Sequence, residues 1–412
     1  MALPELITGI PGPRSRSLAA KLRRFESRNV TFVADGWPVF WQRAAGVNVW
    51  DADGNRFLDL TSAFGVSGLG HGAMGAAMAE QSQRLLHAMG DVHPTELKAE
   101  LCARLSAITF ERWGVGVGKT ILGNSGFEAI EAALKTSLLR TGRRGVLAFR
   151  GGYHGLGFGA LTTTGLPFFR EPFRAQLPDF ATFVPFPCER EQIEAALRER
   201  EFGCILVEPI QGRGGCVVPP PDFLPMLRAV CDAHGILLVL DEIYTGFNRT
   251  GALFACEHSG VVPDIVCLGK ALTGGFPLSA CVGRAEVMDA WPESRGEALH
   301  TSTFLGNPVG CAMALASIVE HAKPETPREV RERGANFEAA LRRLGDVRGM
   351  GLLLGMEVTP ARAQAVVQRA LSEGVLLLAD GPGGNVLSFT PPFAISEAEI
   401  AFVSERLAQW LR

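Results

Sequence analysis

The sequence predicts an α/β fold in which helices cover both faces of a mostly parallel sheet. From about residue 120 to residue 300, short apolar runs alternate with amphipathic helical patterns. Uninterrupted apolar runs are typical of parallel strands buried on both faces, and strand–helix alternation is typical of a doubly wound sheet. The apolar runs are VLAF (146–149), CILVEP (204–209), ILLVLDE (236–242), IVCLGK (265–270) and LSACVG (278–283).

Each neighbouring segment also has a recognisable pattern. Residues 38–60 predict a β-meander, because apolar and polar residues alternate and DADGN supplies a turn. After Pro308 the sequence predicts a helix, VGCAMALASIVEHA, and then a smaller α+β unit that continues to Arg412. The helical patterns between the apolar runs are SGFEAIEAALKTSLLRTG, EQIEAALRER and PDFLPMLRAVCDAHG.

Length and composition exclude several classes of protein. A chain of 412 residues exceeds one typical domain, and 47% hydrophobic with 20% charged residues fits a globular enzyme. A net charge of −3 supplies no basic field for nucleic acid, and no apolar run is long enough to cross a membrane. The nine cysteines form no C-x-x-C pair, which indicates neither a metal site nor a disulfide framework and favours a cytoplasmic location.

Charged residues stand at the ends of three of the apolar runs. These residues are Glu208, Asp241 and Lys270. One of them alone would be read as an ordinary residue of the sheet rim, because charged side chains commonly flank strands. Ligands of open α/β sheets bind outside the carboxyl ends of the strands, so three such residues together predict a functional site at this edge.

Lys270 and Asp241 suggest a specific chemistry. A lysine in a partly dry pocket loses proton affinity and becomes a nucleophile toward carbonyls. A carboxylate at the end of a buried strand needs a cationic partner. Pyridoxal 5′-phosphate satisfies both, because it forms a Schiff base with a lysine and its ring nitrogen pairs with an acid. The separation of 29 residues fits one strand–helix–strand crossover, so both residues can face one cleft.

The segment GNSGFEAIEAALK, residues 123–135, predicts a phosphate site. A helix is expected to begin at about Phe127, and backbone amides at a helix N-terminus bind phosphate. Ser125 would add a hydroxyl group. An ordinary helix cap is the competing interpretation of the same residues.

The segment GGYHG, residues 151–155, follows the first of the listed apolar runs. Tyr153 could lie flat on the cofactor ring. His154 could bind a carboxylate or the substrate, and a purely structural role is an equally open interpretation.

Seven segments in this order resemble the class III (subgroup II) aminotransferases of pyridoxal-phosphate fold type I. They are GVNVWDADGNRFLDLTSAFGVSGLGH, NSGFEAIEAALK, YHG, EPIQGRGG, LDEIYTGFNRTG, LGKALTGGFPLSA and HTSTFLGNP. The resemblance implies a mostly parallel seven-stranded sheet between helices. It also implies a small α+β domain from both chain ends, with residues 1–66 and 311–412 in the small domain and 67–310 in the large one.

The resemblance also assigns roles to these residues. It implies that Lys270 holds the cofactor and carries the proton, and that Asp241 pairs with the ring nitrogen. Tyr153 and Ile243 would pack on opposite faces of the ring, and Glu208 would lie near the substrate.

The phosphate of the cofactor receives a second group of residues from the same resemblance. Ser125, Gly126 and Phe127 correspond to the phosphate loop. Thr303 corresponds to a residue that reaches the phosphate bound by the other subunit. The resemblance therefore implies a homodimer, or a dimer of dimers, with composite active sites.

Four departures from the family pattern bear on specificity. Tyr244 replaces a glutamine that usually contacts the phenolic oxygen of the cofactor, and Phe127 replaces a hydroxyl residue. Leu156 and Ser388 replace arginines that bind substrate carboxylates, and neither can do so bidentately. The departures predict an ω-amine or secondary-metabolite substrate rather than acetylornithine or 4-aminobutyrate. The sequence leaves open whether four further residues belong to the pocket or to the scaffold: Phe40, Trp41, Arg213 and Arg249.

The expected activity is ping-pong transfer of an amino group from an amine or amino-acid donor to a keto acid or aldehyde. An aminomutase, racemase or decarboxylase of the same class is the alternative, because these reactions use the same residues. A catalytically silent scaffold is the alternative from another class, and the presence of both Lys270 and Asp241 argues against it.

Overall fold

The computed structural model describes residues 2–412, and within them three sheets are formed. The strands are β1 Trp41–Ala45, β2 Asn48–Asp51, β3 Arg56–Asp59, β4 Gly118–Gly123, β5 Gly145–Phe149, β6 Ala181–Val184, β7 Phe202–Val207, β8 Leu237–Asp241, β9 Ile265–Leu268, β10 Ser279–Arg284, β11 Val347–Met350, β12 Leu353–Glu357, β13 Val375–Leu376, β14 Leu378–Asp380 and β15 Val386–Phe389.

Fourteen α-helical segments accompany the strands in residues 2–412. They are α1 Pro13–Phe25, α2 Ser62–Gly65, α3 Gly75–Arg84, α4 Glu96–Ile108, α5 Gly126–Thr141, α6 Phe158–Thr163, α7 Pro167–Arg170, α8 Arg190–Glu199, α9 Phe223–His234, α10 Ala285–Met288, α11 Pro308–His321, α12 Glu325–Arg342, α13 Pro360–Ser372 and α14 Glu397–Trp410.

The large sheet has seven strands in the order β4-β10-β9-β8-β7-β5-β6. The five strands from β6 to β9 in that order pair in parallel, whereas β10 is antiparallel to both of its neighbours. The predicted mostly parallel seven-stranded sheet is therefore confirmed, and each of the five apolar runs forms a strand. The runs did not reveal β4 and β6, because both strands are only partly buried and lack a continuous apolar sequence.

Helices cover both faces of this sheet, and strand β8 shows how. Leu238 and Leu240 join a core that includes α4, α9 and α11, whereas Leu237 and Val239 join the core beneath α5. Side chains of a strand alternate between the two faces, so Asp241 continues the face of Val239. Strands β7, β8 and β9 are adjacent and parallel, which brings the residues at their carboxyl ends to one edge.

The smaller unit combines both chain ends. Strand β13 pairs in parallel with β3 of the predicted meander, and one apolar cluster contains Leu58 from the N-terminal part with Val375 and Phe389 from the C-terminal part. The domain limits 1–66, 67–310 and 311–412 stay a prediction, and residue 1 lies outside the described residues. The last limit falls within α11, whose Ile318 packs in the core of the large sheet.

Membrane crossing needs a helix that is both long and apolar, and no helix in residues 2–412 meets this requirement.

Arg249 connects the two units as a buried structural residue. Its guanidinium donates hydrogen bonds to the carbonyl oxygens of Leu352 (3.1 Å) and Pro391 (2.7 Å) and to Ser62 Oγ (3.3 Å). The ring of Phe393 lies 4.8 Å from Cζ. Burial lowers the pKa of Arg249 to about 10. The structure thus resolves the open role of Arg249 in favour of the scaffold, because its donors are engaged far from solvent.

Replacing this arginine is expected to destabilise the protein strongly. In Arg249→Met, the carbonyl groups of Leu352 and Pro391 lose their donor, and an unpaired buried polar group costs about 1–3 kcal/mol. The free energy of unfolding should fall by roughly 2–5 kcal/mol, measured by urea titration. Arg342→Met is the control, because this exposed arginine has only a helical ion pair with Glu338, worth less than about 1 kcal/mol. Equal urea midpoints for the two variants would contradict the structural role.

Candidate active site

A cavity of about 520 Å³ opens at the carboxyl edge of the large sheet. Its lining combines residues of the large sheet with residues from both chain ends. The lining residues are Phe64, Gly126, Phe127, Tyr153, His154, Gly155, Leu156, Glu208, Arg213, Asp241, Ile243, Tyr244, Lys270, Leu378 and Asp380. The structure therefore brings together most of the residues that the sequence nominated.

Lys270 follows strand β9 and begins a 3₁₀ turn in a left-handed conformation, with φ of 45°. Such a conformation is uncommon outside glycine and is often associated with functional sites. Burial lowers the pKa of Lys270, while Asp241 and Glu208 oppose the shift. Its Nζ makes no hydrogen bond within residues 2–412 and lies 4.4 Å from the centre of the Tyr244 ring. The amine is therefore held in the cavity with reduced proton affinity.

Asp241 ends strand β8 with a buried carboxylate that has two partners. His154 Nδ1 lies 2.8 Å from Oδ2, and the backbone N–H of Ile243 donates to Oδ1 at 3.1 Å. The backbone N–H of His154 in turn donates to Thr164 Oγ1 at 3.0 Å. Of the two interpretations of His154, the structure places the imidazole on the carboxylate, where it fixes the orientation of Asp241.

The adjacent acid, Glu242, faces the opposite side of the sheet. Its carboxylate accepts hydrogen bonds from the Thr245 hydroxyl and from the backbone N–H groups of Ala255 (3.0 Å) and Cys256 (2.8 Å). Burial raises the pKa of Glu242. Two consecutive acids thus have different surroundings, because alternation along the strand turns one toward the cavity and the other into the scaffold.

The predicted phosphate loop has hydrogen-bond donors without partners in residues 2–412. Helix α5 begins at Gly126, and no side chain caps its N-terminus. Ser125 Oγ is buried without a hydrogen-bond partner in residues 2–412. Ile243 packs so closely against Gly126 that a Cβ there would lie 3.0 Å from Ile243 Cδ1. A hydroxyl without a partner beside free helical amides fits a phosphate group.

Glu208 follows strand β7 and supports the part of the cavity wall that contains Tyr153. Its Oε1 accepts from the backbone N–H of Tyr153 at 2.8 Å, and its Oε2 accepts from that of Gly212 at 3.1 Å. Burial raises the pKa of Glu208 to about 7. The carboxyl group therefore positions both Tyr153 and the loop after residue 211.

Tyr244 occupies a narrow slot. A Cβ at Gly65 would lie 2.3 Å from Tyr244 Cε2, and one at Gly212 would lie 2.2 Å from Cδ1, so two glycines allow the ring to fit. The hydroxyl donates to Thr390 Oγ1 at 3.3 Å. The Tyr244 hydroxyl is thus engaged by Thr390, and the ring rather than the hydroxyl faces Lys270.

Six nominated residues lie outside the cavity lining: Phe40, Trp41, Ser125, Arg249, Thr303 and Ser388. Thr303 is exposed and does not contribute to the cavity of its own chain. Ser388 is buried in strand β15. Trp41 lines a neighbouring apolar cavity of about 330 Å³, which shares Phe64 and Leu378 with the first one.

Three lining residues were not predicted from the sequence: Phe64, Leu378 and Asp380. Phe64 stands in a left-handed turn, in which Ser62, Ala63 and Phe64 all have positive φ. Arg213, for which the sequence left a pocket role open, lines the cavity. Leu378 and Asp380 reach the cavity from the far end of the chain, and no local pattern marks such a contact.

Comparison with known proteins agrees with this geometry. The family model of class III aminotransferases matches residues 32–411. An acetylornithine aminotransferase of Methanopyrus kandleri is 38% identical, over 91% of this chain and 95% of its own. A 4-aminobutyrate aminotransferase of Mycobacterium leprae is 35% identical, over 96% and 95%.

Among solved structures, a thermostable (S)-enantioselective omega-transaminase from Thermomicrobium roseum superposes with a TM-score of 0.86. It is 28% identical and the match covers 96% of this chain and 98% of that one. The family match spans nearly the whole chain, and it includes the strand ends that carry Glu208, Asp241 and Lys270. The chain therefore belongs to the class III aminotransferases.

Proposed function

We propose that this aminotransferase transfers an amino group from an ω-amine, or another amine that carries no carboxylate, to a keto acid or aldehyde by a ping-pong mechanism. The observation that carries the proposal is the apolar wall of the cavity, where Phe64, Phe127 and Leu156 stand close to the lysine and acid of the site. A donor with an apolar body would bury its surface there.

Enzymes of this class use pyridoxal 5′-phosphate. When bound, this cofactor supplies a carbonyl group for the amine and a ring that withdraws electrons from the reacting carbon. Ser125 Oγ and the backbone amides of Gly126 and Phe127 would hold its phosphate. Asp241 would pair with the ring nitrogen, and Tyr153 and Ile243 would flank the ring.

The remaining chemistry belongs to side chains of the chain itself. Lys270 Nζ has reduced proton affinity and no hydrogen-bond partner in residues 2–412, so it can accept a proton from the donor carbon and return it. His154 holds the Asp241 carboxylate in one orientation. Glu208 fixes Tyr153 through its backbone, which keeps the aromatic wall in place.

The preference for the donor rests on two positions. Acetylornithine and 4-aminobutyrate, the substrates in the names of two relatives, both carry a carboxylate. Leu156 lines the cavity where an arginine would bind such a group, and Ser388, at the other arginine position, is buried in strand β15. The lack of both arginines favours a donor without that carboxylate, because a desolvated and unpaired anion would be costly.

A homodimer is the proposed assembly. An exposed apolar patch, called here the 85–92/299–304 patch, surrounds Thr303; its large side chains are Leu85, Leu86, Met89, Val92, Leu299 and Phe304. The two segments are joined, since Thr301 Oγ1 donates to Asp91 Oδ2 at 2.7 Å and the ring centres of His87 and Phe304 lie 5.2 Å apart. Contiguous apolar surface of this kind marks protein interfaces. A second copy on this patch would allow Thr303 of the partner subunit to reach the phosphate loop.

The cytoplasm is the proposed location. All nine cysteines are free, and seven of them are buried. Free thiols are typical of a reducing compartment.

A panel of amine donors tests the proposed substrate class. We expect kcat/KM for an aliphatic or aryl-alkyl primary amine to exceed that for N-acetylornithine and 4-aminobutyrate by at least about 10-fold, since neither Leu156 nor Ser388 can pair with their carboxylates. Single-turnover spectra of the holoenzyme with each donor give this ratio. A reversed ratio would refute the ω-amine preference. Isomer formation without a second substrate would instead indicate an aminomutase or racemase.

The roles of Lys270 and Asp241 can be separated by spectroscopy. Lys270→Ala should remove the absorbance of the covalently attached cofactor and lower kcat by at least ~10²-fold, because the proton carrier is lost. Asp241→Asn should retain bound cofactor but lower kcat by about 10²–10³-fold, because a preorganised charge is lost.

The neighbouring acid provides the matched control for Asp241. Glu242→Gln changes a buried acid that faces the scaffold, so it should lower the thermal midpoint while kcat stays close to that of the unaltered enzyme. The assignment of Asp241 fails if Asp241→Asn turns over normally, and that of Lys270 fails if the spectrum of Lys270→Ala is unchanged.

The assembly is tested at the apolar patch. The enzyme should elute at the mass of two chains in size-exclusion chromatography with light scattering, whereas Phe304→Glu should dissociate it because a charge would be buried at the interface. Phe168→Glu is the control, because Phe168 is also exposed but lies outside the patch. A monomeric unaltered enzyme, or a dimeric Phe304→Glu variant, would argue against this interface.

A further inference from the structure

The turn that carries Phe64 has an unusual backbone. Ser62, Ala63 and Phe64 have φ of 46°, 50° and 64°, so three consecutive residues other than glycine lie in the left-handed region. For a residue with a Cβ atom this region is disfavoured, because Cβ approaches the following carbonyl oxygen. Such a conformation persists only where surrounding contacts enforce it. The turn must therefore be held by interactions outside its own backbone.

Asp59, at the end of strand β3, supplies several of these interactions. Its Oδ1 accepts from the backbone N–H of Thr61 at 2.7 Å and from the Thr61 hydroxyl at 2.6 Å. Its Oδ2 accepts from the backbone N–H of Ala63 at 3.2 Å and from His71 Nε2 at 2.8 Å, and this nitrogen must carry the proton because a carboxylate only accepts. The side chain of Asp59 is fully buried, and that of His71 is 8% exposed. Both oxygen atoms of the carboxylate are thus in use.

A second set of hydrogen bonds joins the turn to Thr390, which follows strand β15. Ser62 Oγ donates to the carbonyl oxygen of Thr390 at 2.6 Å, and Thr390 Oγ1 donates to the carbonyl oxygen of Thr61 at 3.2 Å. The same Thr390 hydroxyl accepts from Tyr244, whose ring lines the active-site cavity. The turn is therefore fixed on one side by Asp59 and on the other by Thr390.

Phe64 lies between two cavities. It lines the active-site cavity of about 520 Å³ and also the neighbouring cavity of about 330 Å³. The lining residues of the second cavity are apolar except for Thr61, and they include Trp37, Val39 and Trp41. An apolar chain that passed Phe64 would bury its surface there. The position of Phe64 therefore determines how long an apolar chain a ligand of the first cavity can have.

We propose that Asp59 and His71 are positioning residues that limit the length of the amine donor: they hold the left-handed turn, and the turn holds Phe64 as a partition between the two cavities. The inference rests on the proposed function, since the donor is the ligand that brings an apolar body into the active-site cavity. Neither Asp59 nor His71 lines that cavity, so both act through the backbone of the turn. A short donor packs against Phe64, whereas a longer donor needs Phe64 to move.

Selectivity for donor length tests the proposal. In Asp59→Asn, either orientation of the amide turns an NH₂ group toward donors that the carboxylate now accepts, so the turn should loosen. The ratio of kcat/KM for hexylamine to that for propylamine should rise by at least about 10-fold, because an apolar pocket discriminates by about this factor between chains that differ by a methylene group. His71→Ala should raise the ratio in the same direction. His71→Gln, which keeps a donor near the position of Nε2, should restore it.

Asp51→Asn is the matched control. Asp51 is also a fully buried aspartate that ends a strand of the same sheet, and it accepts from the backbone N–H groups of Asp53 (3.0 Å) and Asn55 (2.9 Å) in the turn that follows. Residues of that turn line neither cavity. Asp51→Asn should therefore lower the thermal midpoint, as Asp59→Asn does, without changing the length ratio. An equal ratio in the two variants would make Asp59 a merely structural residue and overturn the proposal.

Two further measurements connect the effect with Phe64. Phe64→Ala should raise the same ratio, and Asp59→Asn added to Phe64→Ala should raise it no further, because both changes remove one partition. Additive effects would refute the route through Phe64. In hydrogen exchange followed by mass spectrometry, the amides of residues 61–67 should exchange faster in the Asp59→Asn holoenzyme than in the unaltered one. Equal exchange rates would show that Asp59 does not hold the turn.

The outcomes distinguish this inference from the proposed function. If the unaltered enzyme accepts ω-amino acids but not simple amines, the proposed function fails, and a homologous series of ω-amino acids gives the length ratio instead. If the enzyme accepts simple amines but Asp59→Asn keeps the unaltered ratio, the positioning role is refuted and the proposed function stands.

Discussion

Asp241 ends a strand that is buried along its whole length, and its carboxylate has one hydrogen bond from the backbone and one contact with His154. A carboxylate in such a place is costly unless a cation compensates it. The neighbouring Glu242 meets the same cost with three hydrogen bonds in the scaffold. Asp241 has fewer, and it faces a cavity that contains Lys270. The site is therefore arranged around an anion whose surroundings are completed by a ligand, which agrees with a pyridinium ring.

Parallel pairing explains why this part of the site can be predicted from the sequence. Glu208, Asp241 and Lys270 follow three apolar runs, and the structure shows these runs as adjacent strands β7, β8 and β9. Since parallel strands present their carboxyl ends at one edge, the three residues meet without any knowledge of the loops. The phosphate loop is predictable for a similar reason, because its Ser-Gly sequence immediately precedes a helix whose period is clear.

Other parts of the site depend on contacts that no local pattern describes. Phe64 and Asp380 reach the cavity from regions near the two chain ends, so their position depends on packing of the small unit against the large one. The orientation of Tyr244 depends on Gly65 and Gly212, which lie far from it in the sequence. Tyr244 stands where relatives have a glutamine. Its hydroxyl position follows from the space that the two glycines leave for the ring and from the acceptor on Thr390.

The residues proposed for the chemistry and the other residues of the cavity are held in place in different ways. The residues proposed for the chemistry are anchored at strand ends of the large sheet, where backbone pairing fixes them. The cavity residues of the small unit, such as Leu378 and Asp380, are placed instead by packing between the two units. A substitution in that packing can therefore reshape the cavity while the strand ends that carry Asp241 and Lys270 stay in place.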